Sequence, residues 1–177
     1  MNYFEFYGIP ESFFPDDKLV KAKFYENSRK YHPDFHATAT PEKQREILEL
    51  STLNTNAYKT LSNFESRLAY MLEQHNLTGE STKNDLPPIF LMEVMELNEK
   101  LMELEFEFDP ESVATLQAGF TEIWNALERK TKPVLEQYEN LPETDKASAL
   151  EQIKIYYLKR KYLLRIKETL ATFANRF

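Results

Sequence analysis

The 177-residue sequence predicts an all-α protein with two helical domains. Glycine, which weakens helices, occurs only three times, and the long runs are rich in Leu, Glu and Lys, which favour them. Within these runs apolar residues recur at steps of three and four, the spacing of one face of a helix. Residues 77–88 (LTGESTKNDLPP) break this pattern with a glycine, two prolines and small polar residues. The sequence therefore predicts a linker at 77–87 between domains 1–76 and 88–177.

The first domain is predicted to contain a helical hairpin and two short helices. A short helix in NYFEFYG ends at Gly8, and a basic helix begins at Asp16, whose carboxylate suits the positive end of the helix dipole. The basic helix ends before Pro33, because proline disfavours the helical conformation in the residue that precedes it. A second long helix begins near Pro41, and a shorter one lies in NFESRLAYMLEQHN. A short polar loop joins the two long helices, so we expect them to run antiparallel.

The second domain is predicted to be an up-down-up bundle of three helices, at residues 88–107, 110–140 and 143–174. Asp109 is placed to cap the second helix, with a proline at its first helical position. Pro133 lies within the second run and is expected to kink or break it.

The helix at 88–107 has two apolar faces. One face is a regular stripe that suits the core of a bundle. At about 100° per residue, a second set of apolar and acidic residues lies roughly opposite this stripe. Two interpretations are open: a helix buried on two sides with methionine filling gaps, or an exposed docking surface for another protein. We favour docking, because a three-helix bundle rarely buries a helix all round. The core stripe is Phe90, Val94, Leu97, Leu101 and Leu104, and the outer face is Leu91, Met92, Met95, Met102, Glu96, Glu99 and Glu103.

The overall composition excludes several classes of protein. A hydrophobic fraction of 42% with 29% charged residues is that of a globular chain rather than a disordered one. No apolar run approaches the roughly 20 residues of a membrane span, and the first residues do not resemble a signal peptide. We therefore expect a cytoplasmic protein that binds no membrane. The absence of cysteine excludes a disulfide, a thiolate nucleophile and a cysteine-ligated iron–sulfur cluster.

No motif in the chain predicts an enzyme, a metal site or a bound cofactor. His32 and His36 have the spacing of a metal pair on a helix, but Pro33 breaks that helix between them. Neither a GxSxG motif, an HExxH motif nor a glycine-rich phosphate loop occurs. Residues 152–167 carry six basic residues and no acidic one, yet the net charge of −7 argues against nucleic acid. We interpret this run as a solvated helix face that balances the glutamates of residues 88–107.

A His-Pro-Asp corner, residues 32–34, joins the two long helices of the first domain. Taken alone, the proline is an ordinary helix stop. The corner nevertheless places an imidazole and a carboxylate on a rigid, exposed bend beside a basic helix, which suits an acidic partner. Basic residues of that helix are Lys18, Lys21, Lys23, Arg29 and Lys30.

The order of these features, with YHPD in the loop between a basic helix and a second long helix, resembles a J domain over residues 1–76. In that family the His-Pro-Asp motif stimulates ATP hydrolysis by a DnaK-type chaperone. The resemblance implies that a chaperone binds the motif and Lys21, and we assign Arg29 and Lys30 to the same surface for their charge. Two features depart from the family: Phe35 follows the motif where a basic residue is common, and Tyr25 and Glu26 stand at positions that are often basic. The motif residues are His32, Pro33 and Asp34.

The whole chain resembles the HscB family, through NYFEFYGIP, SRLAYMLEQHN and FLMEVMELNEKLMELE. This resemblance implies a co-chaperone that escorts the iron–sulfur scaffold protein IscU to the chaperone HscA and promotes cluster transfer. It also implies that the scaffold binds the outer face at 88–107 and an aromatic residue of the last helix, for which we choose Tyr162. The absence of cysteine indicates the simpler, bacterial-like form. The implied scaffold-binding residues are Leu91, Met92, Met95, Glu96, Glu99, Glu103 and Tyr162.

Three other functions remain open on sequence grounds. The first is a J-domain co-chaperone for an unrelated client, with the bundle as a different adaptor. The second is a helical structural protein whose His-Pro-Asp corner is a relic. The third, and the most distant, is a metal-dependent enzyme. Stimulation of a chaperone ATPase separates the relic from both co-chaperones, and the identity of the bound client separates those two.

Overall fold

The computed structural model describes residues 1–79 and 86–174, and every regular element in these ranges is helical. The prediction of an all-α protein is confirmed. The chain divides into two compact units. Unit 1 is Met1–Asn76 with Tyr138–Asn140, and unit 2 is Leu77–Gln137 with Leu141–Phe177. Most of the predicted linker, residues 80–85, lies outside the described residues, whereas Leu86 at its end is buried in the core of unit 2.

Unit 1 is built from four α-helices whose ends follow local sequence signals. The Asn2 side chain accepts a hydrogen bond from the backbone N–H of Glu5, and the backbone N–H of Asn2 donates one to the Glu5 carboxylate, a capping box that starts the first helix. Gly8 ends it with φ of 63°, a conformation that costs glycine little. Asp16, predicted to lie at the start of the second helix, is its N-cap and accepts a hydrogen bond from the backbone N–H of Lys18 at 2.8 Å. The helices are α1 (Tyr3–Tyr7), α2 (Asp17–Lys30), α3 (Pro41–Leu61) and α4 (Phe64–Gln74), with a 3-10 turn at Pro33–His36.

Asn54 ties three of these helices together. Its side-chain amide donates hydrogen bonds to the carbonyl of Phe24, at 3.0 Å, and to the hydroxyl of Ser28, at 3.1 Å. The Tyr7 hydroxyl donates to the backbone carbonyl of Asn54 at 3.1 Å, and burial raises the pKa of that hydroxyl above its ordinary value. Since Tyr7 is on α1, Phe24 and Ser28 on α2, and Asn54 on α3, these bonds hold the hairpin that carries the His-Pro-Asp corner.

Unit 2 is a bundle of α5 (Pro88–Phe106), α6 (Pro110–Gln137) and α7 (Glu143–Ala174), each packed against the other two. The Asp109 carboxylate accepts a hydrogen bond from the Ser112 backbone at 2.8 Å, so the predicted cap of α6 is confirmed. Helix α6 continues through Pro133 and ends at Gln137, so the proline does not break it. Tyr138–Asn140 then form a 3-10 turn that belongs to unit 1.

The basic run at residues 152–167 of α7 contributes contacts to α6 within the bundle. Arg160 forms an ion pair with Glu128 of α6, and its guanidinium lies 4.6 Å from the centroid of the Trp124 ring. The Tyr156 hydroxyl also donates to Glu128, at 2.9 Å. Our interpretation of this run as a solvated face that balances the α5 glutamates was therefore wrong for Arg160, because its partner lies on α6.

Candidate binding surfaces

The His-Pro-Asp corner lies between α2 and α3, with both ionisable side chains exposed. The backbone N–H of Asp34 donates to Nδ1 of His32 at 3.3 Å. In the neutral ring the proton is then on Nε2, which is left as an outward donor. The side chain of His32 is 50% exposed and that of Asp34 is 86% exposed, and Nδ1 lies 3.8 Å from the Asp34 carboxylate. The corner therefore presents a hydrogen-bond donor and an anion side by side.

Two other side chains hold the backbone of this corner. Nε2 of His36 donates to the carbonyl of Lys30, the last residue of α2, at 2.9 Å. On the other side, the Gln44 amide donates to the carbonyls of Ala37 and Ala39 at 2.9 and 3.1 Å. These bonds restrict the loop without covering His32 or Asp34.

The cations assigned to this surface are exposed but do not all share one side of α2. Lys21 and Arg29 are eight residues apart, or about 80° around the helix. Lys30 is about 180° from Lys21 by the same geometry, although it adjoins the corner in the chain. Lys23 forms an ion pair with Glu26 at 3.0 Å, so part of the local charge is neutralised.

Two exposed aromatic residues accompany this surface, and the sequence assignment omitted them from the site. Phe35 is 72% exposed, and its ring centroid lies 5.4 Å from that of His32. Tyr25 is 52% exposed and lies midway between Lys21 and Arg29 on one side of α2. The signal for Phe35 was present in the sequence, as a large apolar residue at an exposed turn.

Helix α5 has the two faces that its periodicity predicted. The five residues of the core stripe are 3–6% exposed. On the outer face Leu91 is 37%, Met92 63% and Met95 60% exposed, and Glu96, Glu99 and Glu103 are exposed as well. Because these outer residues are exposed in the described part of the chain, the alternative of a helix buried on two sides was wrong.

Tyr162 lies on α7 and is 39% exposed. Three residues earlier, the ammonium of Lys159 lies 4.9 Å from the centroid of the Phe90 ring of α5. Burial lowers the pKa of Lys159, and the nearby charge of Lys130 acts in the same direction. Residues three apart lie on the same side of a helix, so Tyr162 is on the side of α7 that faces α5.

Within the part of the chain that the structure describes, no group of three or more His, Cys, Asp or Glu side chains has the arrangement to hold a metal ion. No helix in residues 1–79 and 86–174 has the length and apolar character to cross a membrane.

The chain is similar to known proteins over most of its length. Residues 86–171 match the family model described as the HSCB C-terminal oligomerisation domain. The co-chaperone protein HscB homolog of Photobacterium profundum is 32% identical over 171 residues, which cover 96% of this chain and 98% of that protein. The homolog of Aliivibrio fischeri strain MJ11 is 38% identical over 114 residues, which cover 63% of this chain and 66% of that protein, just under two thirds of its length.

A solved structure shows the same fold. The crystal structure of the human co-chaperone protein HscB matches with a TM-score of 0.67 and 26% identity, over 100% of this chain and 84% of the human one. The agreement extends over both units, and the match to the Photobacterium protein runs from end to end. The chain therefore belongs to the HscB family, a family of co-chaperones that are not enzymes.

Proposed function

We propose that this protein binds an iron–sulfur scaffold protein of the IscU type, delivers it to a DnaK-type chaperone of the HscA type, and stimulates the ATPase of that chaperone in the cytoplasm. In this way it aids cluster transfer and the maturation of iron–sulfur proteins. The observation that carries the proposal is the division of exposed residues between the units. Unit 1 exposes a polar, basic corner, and unit 2 exposes an apolar, acidic helix face.

The corner of unit 1 suits the chaperone. Its backbone is held by His36 and Gln44, so little conformational freedom is lost when a partner binds. His32 offers a donor and Asp34 an anion, while Lys21 and Arg29 favour approach to an acidic surface. ATP is hydrolysed by the chaperone, and this protein contributes only binding and orientation.

The outer face of α5 suits the scaffold protein. Methionine and aromatic residues are enriched in the cores of protein interfaces, whereas charged residues are depleted from these cores and the rims are polar. Met92 and Met95 are each at least 60% exposed, and the glutamates of the same face lie around them. The description of the matched family model as an oligomerisation domain is in keeping with a bundle whose role is protein assembly.

One chain that holds both proteins couples the two events. Binding of the scaffold to unit 2 raises its effective concentration near a chaperone that is bound to unit 1. No conformational signal between the units is required for this effect.

The test is a pair of variants in the full chain. We expect His32→Gln to abolish ATPase stimulation and to leave calorimetric binding of the source organism's IscU unchanged. We expect Met92→Ala with Met95→Ala to weaken IscU binding by about tenfold or more. The same variant should stimulate the chaperone ATPase as wild type does when IscU is absent. Leu48→Ala, which removes an apolar side chain that is 59% exposed on α3, is the control for scaffold binding.

Either of two results would contradict the proposal. If both variants lose both activities while they remain helical and folded, the activities are not divided between the two surfaces. If the unmodified protein stimulates the ATPase but does not bind a well-folded IscU, the client is another protein. That second result would favour the alternative of a co-chaperone for an unrelated client.

A further inference from the structure

Two exposed apolar residues on the outer side of α5 are not among the residues assigned to scaffold binding. Met102 is 60% exposed, and Phe106, the last residue of the helix, is 88% exposed. Met102 is seven and Phe106 eleven residues after Met95, so the three side chains fall within about 40° around the helix. Along the axis, Met92 and Phe106 are about 21 Å apart at 1.5 Å per residue.

The outer side of this end of α5 takes no part in the core of unit 2. The core is formed by the opposite side of the helix, where Leu101 and Leu104 are 5% and 4% exposed. Single exposed apolar residues are ordinary on protein surfaces. A row of them on one side of one helix marks an interaction site instead, and here it continues the row of Met92 and Met95.

The surroundings of this row indicate the chemistry of its partner. Glu99 and Glu103 are exposed on the same side of α5. Next to them an open groove of about 1150 Å³ lies between the end of α5 and the start of α6, and Phe106, Phe108 and Glu103 line it. An apolar row with carboxylates beside it complements a segment that has an apolar side chain flanked by Lys or Arg.

We propose that the scaffold protein covers the whole of this face, and that Met102 and Phe106 form a second apolar contact with an apolar residue of the scaffold that has basic neighbours. This proposal rests on the proposed function, since it extends the same surface and takes the same partner. It assigns Met102 and Phe106 to binding, in addition to the residues of α5 already assigned, which are Leu91, Met92, Met95, Glu96, Glu99 and Glu103.

A second copy of this chain is a poorer occupant. In a two-fold contact the same patch meets itself, so Glu99 and Glu103 of one copy would approach the same residues of the other. Like charges that face each other in an interface are unfavourable. A basic partner removes that repulsion.

The experiment measures calorimetric binding of the source organism's IscU to the full chain and to Met102→Ala, Phe106→Ala and the double variant. We expect the dissociation constant to rise about tenfold or more in the double variant. Leu48→Ala is the control, because it removes an apolar side chain that is 59% exposed on α3 of unit 1. Both single variants should keep the wild-type circular dichroism and thermal midpoint, since the side chains removed are exposed.

The outcomes separate this proposal from the function on which it rests. If IscU binds, if Met92→Ala with Met95→Ala weakens it, and if the Met102 and Phe106 variants bind as wild type, the extension is wrong and the function stands. If the unmodified chain does not bind IscU, the proposed function fails first. If the double variant instead lowers self-association in sedimentation and leaves IscU binding unchanged, the occupant is a second copy and the proposal is overturned.

Discussion

Nε2 of His36 lies 2.9 Å from the carbonyl oxygen of Lys30 and donates a hydrogen bond to it. The last carbonyls of a helix have no partner within the helix, and this bond satisfies one of them at the end of α2. It also closes a loop of the chain around His32, Pro33 and Asp34. His36, which follows the motif by two residues, therefore holds the backbone of the His-Pro-Asp corner in place.

We therefore expect His36→Ala to impair ATPase stimulation through the position of His32. The side chain of His32 remains, so maximal stimulation should be retained, and the co-chaperone concentration for half-maximal stimulation should rise several-fold. A titration of the chaperone ATPase measures both values. His36→Gln is the matched variant, because its amide retains an N–H donor, and it should recover part of the loss. Equal titration curves for His36→Ala and wild type would contradict a positioning role.

The exposed ring of Phe35 is expected to contribute to chaperone binding. It lies beside the imidazole of His32, with ring centroids 5.4 Å apart, so a partner that contacts one ring is close to the other. Burial of an exposed aromatic ring is worth about 1–3 kcal/mol at an interface. Phe35→Ala should weaken binding to the chaperone by about tenfold, as measured by surface plasmon resonance, while Leu48→Ala stays within twofold of wild type. A Phe35→Ala variant with unchanged affinity for the chaperone would show that the ring does not contribute to binding.

Removal of the Asn54 amide is expected to lower the stability of unit 1 rather than its binding to a partner. Asn54→Ala removes the donors to the carbonyl of Phe24 and the hydroxyl of Ser28 and leaves these groups without that partner in a packed site. The expected loss is about 1–3 kcal/mol in the free energy of unfolding of unit 1. Urea unfolding followed by circular dichroism measures it. Thr52→Ala on the exposed side of the same helix is the control, and it should cost less than about 0.5 kcal/mol.

The sequence predicted best those features that depend on local periodicity. The two faces of α5 follow from the spacing of Phe90, Val94 and Leu97 against Met92 and Met95, and the structure places them as predicted. The cap at Asp109 depends on a few consecutive residues, so it was equally readable. Phe106 was overlooked as part of the outer face, because the last residue of a helix carries little weight in a periodic pattern.

Features that depend on residues far apart in the chain were not predictable. Tyr138 belongs to unit 1, where its ring lies 5.0 Å from that of Phe13 and its hydroxyl donates to Glu11 at 3.0 Å. No local pattern at residues 138–140 indicates this. In the same way, the charge of Arg160 suggested solvent, but its ion pair with Glu128 depends on how α6 and α7 pack.

The Asp109 cap of α6 should make the stability of the folded protein depend on pH, and the direction of this dependence follows from the pKa of the carboxyl. Hydrogen bonds from the hydroxyl and then the backbone N–H of Ser112 hold the pKa of the exposed Asp109 carboxyl below its ordinary value. A carboxyl whose pKa is lower in the folded protein binds its proton more weakly there than in the unfolded chain. Its stabilising contribution is therefore complete above the unfolded value of about 3.9, and it is lost as the pH falls through the folded value.

Asp109→Asn isolates this contribution, because asparagine is also a good helix cap but does not titrate. The difference in thermal midpoint between wild type and Asp109→Asn should be constant from about pH 5 to pH 8, and it should shrink as the pH falls below about 3.9. Ser112→Ala retains the carboxylate and removes the hydroxyl donor, so the titration of Asp109 followed by NMR should move back toward the ordinary value. A midpoint difference that grows on acidification would contradict the cap, since it would mean that the folded protein favours the protonated carboxyl.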